Sequence, residues 1–120
     1  MRSNRWFFPG LLVLAVLLVA SLAGAEQIER VEAKRVCMVN NTFFPKDQIP
    51  VQVDGKTYFG CCEMCKGRLA TDAAARSATD PISGKTVDKA KAVIGAKPDG
   101  KVLYFESEKT FSEYQKRKPS

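Results

Sequence analysis

The residues best suited to chemistry in this 120-residue chain are its four cysteines, Cys37, Cys61, Cys62 and Cys65. The chain has no histidine, so the commonest general base and the commonest nitrogen ligand for metal ions are both missing. Any site must therefore use thiolates and carboxylates. We expect a binding protein rather than an enzyme.

The spacing of three cysteines suits a metal ion. Cys61 and Cys65 are four residues apart at the start of a predicted helix, so their sulfur atoms can point the same way, one turn apart. The exposed N–H groups of a helix N-terminus favour the thiolate form that a metal requires. Cys37, separated from Cys61 by 23 residues, would arrive from another loop. Three thiolates from two segments are typical of zinc and Cu(I) sites.

A further ligand is not obvious from the sequence. Cys62 is the nearest additional candidate, although its side chain would point about 100° around a helix from that of Cys61. Weaker candidates are Met64, Met38 and Asn40, and a thioether ligand would favour Cu(I) over zinc.

Two alternatives to a metal site use the same cysteines. An even number of cysteines in an exported chain is typical of disulfide bonding, either as Cys37–Cys61 with Cys62–Cys65 or as Cys37–Cys65 with Cys61–Cys62. Cys62 and Cys65 also form a C-x-x-C motif, so a thiol-disulfide oxidoreductase is the third hypothesis. The predicted position of this motif after a hairpin, rather than in a βαβ unit, argues against it.

Residues 1–25 have the features of an export signal. Two arginines precede an apolar stretch from Trp6 to Ala20, and Ala23-Gly24-Ala25 fits the small-residue pattern of a cleavage site. The alternative is an uncleaved membrane anchor, because about 20 apolar residues suffice to cross a bilayer. In both cases we expect the rest of the chain outside the cytoplasm, most simply in a bacterial periplasm.

The charge of the chain does not suggest a nucleic-acid partner. The formal net charge is +6, but residues 26–120 carry 17 basic and 13 acidic side chains. This excess is small, and the basic residues are not interleaved with aromatic ones in the way that favours phosphate backbones. The predicted partners are a metal ion and a membrane or periplasmic metal-handling protein.

The sequence predicts two similar passes of hairpin and helix. Alternating residues on both sides of Asp54-Gly55 predict a β-hairpin, and an Ala-rich stretch from Glu63 to about Ala78 predicts a helix after it. A second turn at Pro98-Asp99-Gly100 precedes a strand, and Ser107 could cap a helix that reaches Lys118.

A shift of 45 residues places the second pass on the first. Glu106 then stands in the position of Cys61, and Thr110 stands in that of Cys65. Cys37 corresponds to Ser83 if the second copy is one residue shorter. The frame of elements is repeated, whereas all four cysteines belong to the first copy.

The first copy resembles the TRASH and YHS domain families, which are small metal-binding modules related to the treble-clef zinc knuckle. These families place a lone cysteine well before a C-x3-C pair that follows an aromatic strand, here Tyr58-Phe59. The resemblance covers residues 36 to 72 and implies that Cys37, Cys61 and Cys65 are the ligands. It implies metal trafficking, sensing or heavy-metal resistance. Asn40 stands where treble-clef relatives have the second cysteine of the knuckle, so the resemblance does not imply a four-thiolate site.

The second copy also resembles the YHS family. Residues 80–84, Asp-Pro-Ile-Ser-Gly, are similar to the family's opening Asp-Pro-x-Cys-Gly, and residues 104–108, Tyr-Phe-Glu-Ser-Glu, are similar to its Tyr-Phe-Cys-Ser-Glu. Because the cysteines are replaced, this copy is not expected to bind a soft metal. Glu106 leaves a role with a hard cation open.

Together these patterns predict an α+β protein made of two treble-clef-like or YHS-like hairpin-helix units in tandem. The first unit would bind one soft metal ion, Cu(I), Zn(II) or another thiophilic ion, for trafficking, buffering, sensing or resistance. The predicted segments are the signal at 1–25, a charged leader at 26–35, the metal-binding unit at 36–78 and the degenerate unit at 79–118.

Overall fold

The computed structural model describes residues 27–117, and the predicted export signal or anchor at 1–25 lies outside these residues. The described part is a mixed α+β structure of short antiparallel strands and two nine-residue helices. The helices are α1 (Glu63–Thr71) and α2 (Glu108–Lys116), and the strands are β1 (Glu29–Val31), β2 (Val36–Cys37), β3 (Thr42–Phe43), β4 (Ile49–Val53), β5 (Lys56–Gly60), β6 (Ser77–Thr79), β7 (Thr86–Asp88), β8 (Val93–Ala96) and β9 (Val102–Phe105).

The hairpin predicted around Asp54-Gly55 is confirmed. Strands β4 and β5 pair antiparallel, with Val53 opposite Lys56. Asp54 and Gly55 both have positive φ, at 51° and 78°, which is the conformation of the two-residue turn that matches the twist of the strands. This hairpin leads directly into α1.

Helix α1 is shorter than the sequence predicts. It ends at Thr71 rather than near Ala78, because the Asp72 side chain accepts a hydrogen bond from the backbone N–H of Ala74 and starts a separate 3-10 helix, Ala73–Arg76. Aspartate competes with helix continuation through this type of local hydrogen bond. The alanine-rich pattern hides the break, and Ala78 lies in β6, opposite Val87.

The second pass has the predicted hairpin and helix. Strands β8 and β9 pair antiparallel, and α2 begins after Ser107, whose hydroxyl accepts a hydrogen bond from the backbone N–H of Thr110. The predicted serine cap is therefore present.

Residues 29–31, which the sequence places in a charged leader, form a third strand beside the hairpin of β8 and β9. Strand β1 pairs with β8, so the sheet order is β1-β8-β9. Just before it, Ile28 is buried and its backbone N–H and carbonyl both bond the Gln115 side chain of α2. A three-residue strand is too short to give a periodic signal among charged neighbours.

The chain has two halves, the first running from β2 to α1 and the second from β6 to α2. Both halves contribute to one hydrophobic core. Tyr58 and Leu69 come from the first half, and Ile94 and Tyr104 come from the second. Within residues 27–117, neither helix approaches the length and hydrophobicity that a membrane crossing requires.

Candidate metal centre

Three of the four cysteines converge. The sulfur atoms of Cys37, Cys61 and Cys65 all lie within 4.8 Å of one another, and those of Cys61 and Cys65 are 3.7 Å apart. Cys37 ends β2, Cys61 follows β5, and Cys65 lies in the first turn of α1. All four cysteines are free thiols in the structure. The three residues predicted as ligands are thus brought together from two separate segments.

The Cys37 sulfur lies in an environment that favours an anion. The residue is fully buried, and burial raises the pKa of its thiol, but the backbone N–H groups of Asn40 and Val39 outweigh this effect and leave the pKa below its ordinary value. The backbone and thiol of Cys61 act in the same direction. Hydrogen bonds to a thiolate stabilise the charged form.

The other two thiols hold their protons more tightly. The pKa of Cys61 is raised, chiefly through its hydrogen bond with Cys37. The pKa of Cys65 is raised to about 12, first by burial and then by its hydrogen bonds to the other cysteines. The Cys37 sulfur therefore accepts hydrogen bonds from its neighbours. A thiophilic cation can take the place of the thiol protons when it binds.

The candidates for a further ligand lie in different places. Cys62 is exposed and does not belong to the group of three, although its thiol interacts with that of Cys65. Met64 is 83% exposed, whereas Met38 is fully buried in the core. The Asn40 side chain contacts the cluster directly, with its Nδ2 3.6 Å from the Cys61 sulfur.

Close packing of β5 against α1 sets the position of Cys65. A Cβ atom at Gly60 would lie 3.0 Å from the Cβ of Cys65 and 3.2 Å from the backbone nitrogen of Lys66, closer than real Cβ atoms normally approach. Glycine at this strand end thus allows the first turn of α1 to reach the other two thiols. No pattern in the sequence indicates this requirement, because a glycine before a cysteine has many uses.

The second half contains the same arrangement with a carboxylate in place of the Cys37 thiol. Asp80 is fully buried, and its Oδ1 accepts hydrogen bonds from the backbone N–H groups of Ile82 at 2.7 Å and Ser83 at 3.1 Å. These donors follow Asp80 by two and three residues, as Val39 and Asn40 follow Cys37. The strand pairing supports the same correspondence, because each residue faces the one five positions downstream. The backbone N–H of Asp80 bonds the carbonyl of Lys85, and Cys37 lies opposite Thr42.

The remaining contacts of Asp80 complete the correspondence. Its Oδ2 accepts from the backbone N–H of Glu106 at 2.8 Å and from the Thr110 hydroxyl at 2.7 Å. Glu106 and Thr110 are the positions predicted to replace Cys61 and Cys65. The prediction that Cys37 corresponds to Ser83 is therefore wrong: Asp80 takes its place, and Ser83 corresponds to Asn40.

This carboxylate has no capacity left for a hard cation. Four donors occupy the two oxygen atoms of Asp80, and an ionised carboxylate offers about four acceptor positions. The Glu106 side chain is exposed. The buried carboxylate joins the loop, strand and helix of the second half by hydrogen bonds alone.

Comparison with known proteins identifies no relative. No family model, curated protein or solved structure matches this chain. The TRASH and YHS resemblance therefore stays a prediction, and the case for the site rests on the geometry of its three thiols.

Proposed function

We propose that this chain is an exported protein that binds one soft metal ion, Cu(I) or Zn(II), through Cys37, Cys61 and Cys65. The observation that carries the proposal is the convergence of these three sulfur atoms within 4.8 Å. The binding site would serve metal trafficking, buffering, sensing or resistance, and no catalysis is proposed.

The sulfur spacing supports this function. With metal–sulfur bonds of about 2.3 Å, two thiolate ligands of one ion lie about 3.8–4.0 Å apart in tetrahedral or trigonal geometry. The distance between the Cys61 and Cys65 sulfurs is 3.7 Å. Only small side-chain adjustments would be needed to place an ion among the three.

The order of elements supports a relation to the treble-clef and YHS modules. In each half a short hairpin carries the buried Cys37 or Asp80, a longer hairpin follows, and a nine-residue helix ends the unit. We therefore propose two such units in tandem, only the first of which binds metal. A membrane or periplasmic metal-handling protein is the proposed partner.

The test is metal binding by protein purified anaerobically with reductant. We expect about one equivalent of Cu(I) or Zn(II) per chain, and we expect Cys61→Ser and Cys65→Ser each to lower the affinity by at least about tenfold because a ligand is lost. Cys62→Ser is the matched control and should retain binding. Unchanged affinity in the first two variants would show that the site is assigned to the wrong residues.

A disulfide-stabilised interaction module is the second candidate, since the Cys37 sulfur lies within 4.8 Å of those of Cys61 and Cys65 and could be oxidised with either after a movement of the side chains. It predicts no free thiols in native protein that is denatured without reductant, whereas the metal site predicts free thiols under the same conditions.

An oxidoreductase that uses Cys62 and Cys65 would turn over a model disulfide and lose that activity on Cys62→Ala.

A further inference from the structure

A buried lysine from the second half lies beside the loop that holds Cys37. Lys89 is only 5% exposed. Its ammonium group donates hydrogen bonds to the backbone carbonyl of Met38 at 2.7 Å and to the Asn41 side chain at 3.0 Å. It also lies 5.2 Å from the centre of the Tyr104 ring. Met38 is the residue directly after Cys37, so a positive charge is held next to the three-thiol cluster.

Lys89 has no carboxylate partner in the part of the chain that the structure describes. Five ion pairs occur within residues 27–117, and Lys89 is in none of them. Buried lysines are rare unless they are paired, because removing a charge from water costs free energy. Neutral oxygen atoms and an aromatic face compensate only part of this penalty.

Cys37 of the thiol cluster can supply a negative charge that acts on Lys89. Burial lowers the pKa of Lys89, and negative charge on Cys37 acts in the opposite direction. The two groups are therefore electrostatically coupled across the boundary between the halves. The coupling grows with the negative charge on the cluster.

We infer that Lys89 is the counter-charge of the three-thiolate site and makes it favour Cu(I) over Zn(II). The inference rests on the proposed metal-binding function. Three thiolates with Cu(I) carry a net charge of −2, whereas three thiolates with Zn(II) carry −1. The empty site is the same for both ions, so this difference of one charge holds whatever its protonation. A fixed positive charge stabilises the more negative complex more strongly.

Lys89 also positions the loop between β2 and β3, and the two roles can be separated by experiment. A loss of loop geometry weakens the binding of both ions, whereas a loss of charge changes their ratio. Lys89→Gln keeps an N–H donor and removes the charge. Lys91→Gln removes the same charge from an exposed position two residues away and is the matched control.

The experiment measures the affinities of the full reduced chain for Cu(I) and Zn(II) by competition with chromophoric chelators. In Lys89→Gln we expect the ratio of Cu(I) affinity to Zn(II) affinity to fall by about tenfold, or about 1.4 kcal/mol. Lys89→Arg should restore most of the ratio, and Lys91→Gln should leave it unchanged. Absence of binding by the wild-type chain would contradict the proposed function instead.

The ratio of the two affinities is less sensitive to partial unfolding of a variant than either affinity is. If the unfolded chain binds neither ion, unfolding lowers both apparent affinities by the same factor, and their ratio is preserved. Lys89→Met, which also removes the donor, should show the same change in ratio with a further equal loss for both ions. A wild-type ratio in Lys89→Gln and Lys89→Met would overturn the inference.

Discussion

At residue 80 of the second half, a carboxylate makes the contacts that the Cys37 thiol makes in the first. Both groups are fully buried, and both face the backbone N–H groups two and three residues downstream. The thiol meets two other thiols, whereas Asp80 meets a backbone N–H and a hydroxyl. The same backbone arrangement therefore supports a group of thiols that could hold an ion in the first half and a buried hydrogen-bonded carboxylate, here called the Asp80 joint, in the second.

Replacing Asp80 tests this joint. Asp80→Asn puts an amide where four donors converge, so at least one donor loses its acceptor, and we expect the free energy of unfolding to fall by about 3 kcal/mol. Chemical denaturation measures the change. Glu106→Gln, at an exposed neighbouring side chain, should leave the stability unchanged, and an equal loss in both variants would contradict the assignment.

The direction of the pKa shift of Asp80 predicts how the stability of the wild-type protein and of Asp80→Asn depends on pH. Burial raises the pKa of Asp80, but its hydrogen bonds outweigh burial and hold the pKa below the ordinary value of 3.8. The folded state then binds protons less readily than the unfolded one, so the stabilisation is present above the ordinary pKa and is lost as the pH falls through the folded pKa. Asp80→Asn should lose less stability than wild type over that range, as acid titrations of unfolding would show.

At the scale of the elements, the two helices begin with the same backbone geometry and different caps. Cys62 has φ −158° and ψ 174°, and Ser107 has φ −159° and ψ 169°. The Ser107 hydroxyl caps α2, whereas the Cys62 side chain forms no cap. Serine is among the best N-cap residues, and a thiol is a weak acceptor.

Cys62→Ser should therefore stabilise the protein. We expect a gain of about 1 kcal/mol in the free energy of unfolding and an unchanged metal stoichiometry, because Cys62 lies outside the group of three thiols. Ser107→Ala should lose a similar amount. Weaker metal binding by Cys62→Ser would instead identify Cys62 as an additional ligand.

At the scale of the molecule, the halves are interlocked rather than placed end to end. The side chain of Asp88 accepts hydrogen bonds from Lys56 and Tyr58 of the first hairpin, at 2.6 and 2.8 Å. Strand β1 precedes the first half in sequence but belongs to the sheet of the second. The two halves therefore share their stability.

Ile28→Ala tests this interlocking. The side chain is 4% exposed, beside Gly95 of β8, and we expect a loss of about 3 kcal/mol, typical of a large-to-small change in a core. Thermal unfolding should remain a single transition for both halves. Glu29→Ala, at the exposed next residue, which begins β1, is the control, and separate transitions for the two halves would contradict the shared core.

Features that depend on local chemistry could be predicted from the sequence alone. Three features act within a few residues and can therefore be predicted without knowing the fold. They are the Asp54-Gly55 turn, the Ser107 cap and the C-x3-C spacing at the start of a helix. The same spacing, with Cys37, predicted which three thiols would meet. Absence of histidine limited any metal site to sulfur and oxygen ligands.

Features that join distant segments could be seen only in the folded chain. The position of Asp80, the place of Lys89 beside Cys37 and the pairing of β1 with β8 depend on contacts between residues far apart in sequence. Neither a buried aspartate nor a buried lysine differs in sequence from an exposed one. Their roles arise from burial and from the partners that the fold supplies, and no local pattern records either.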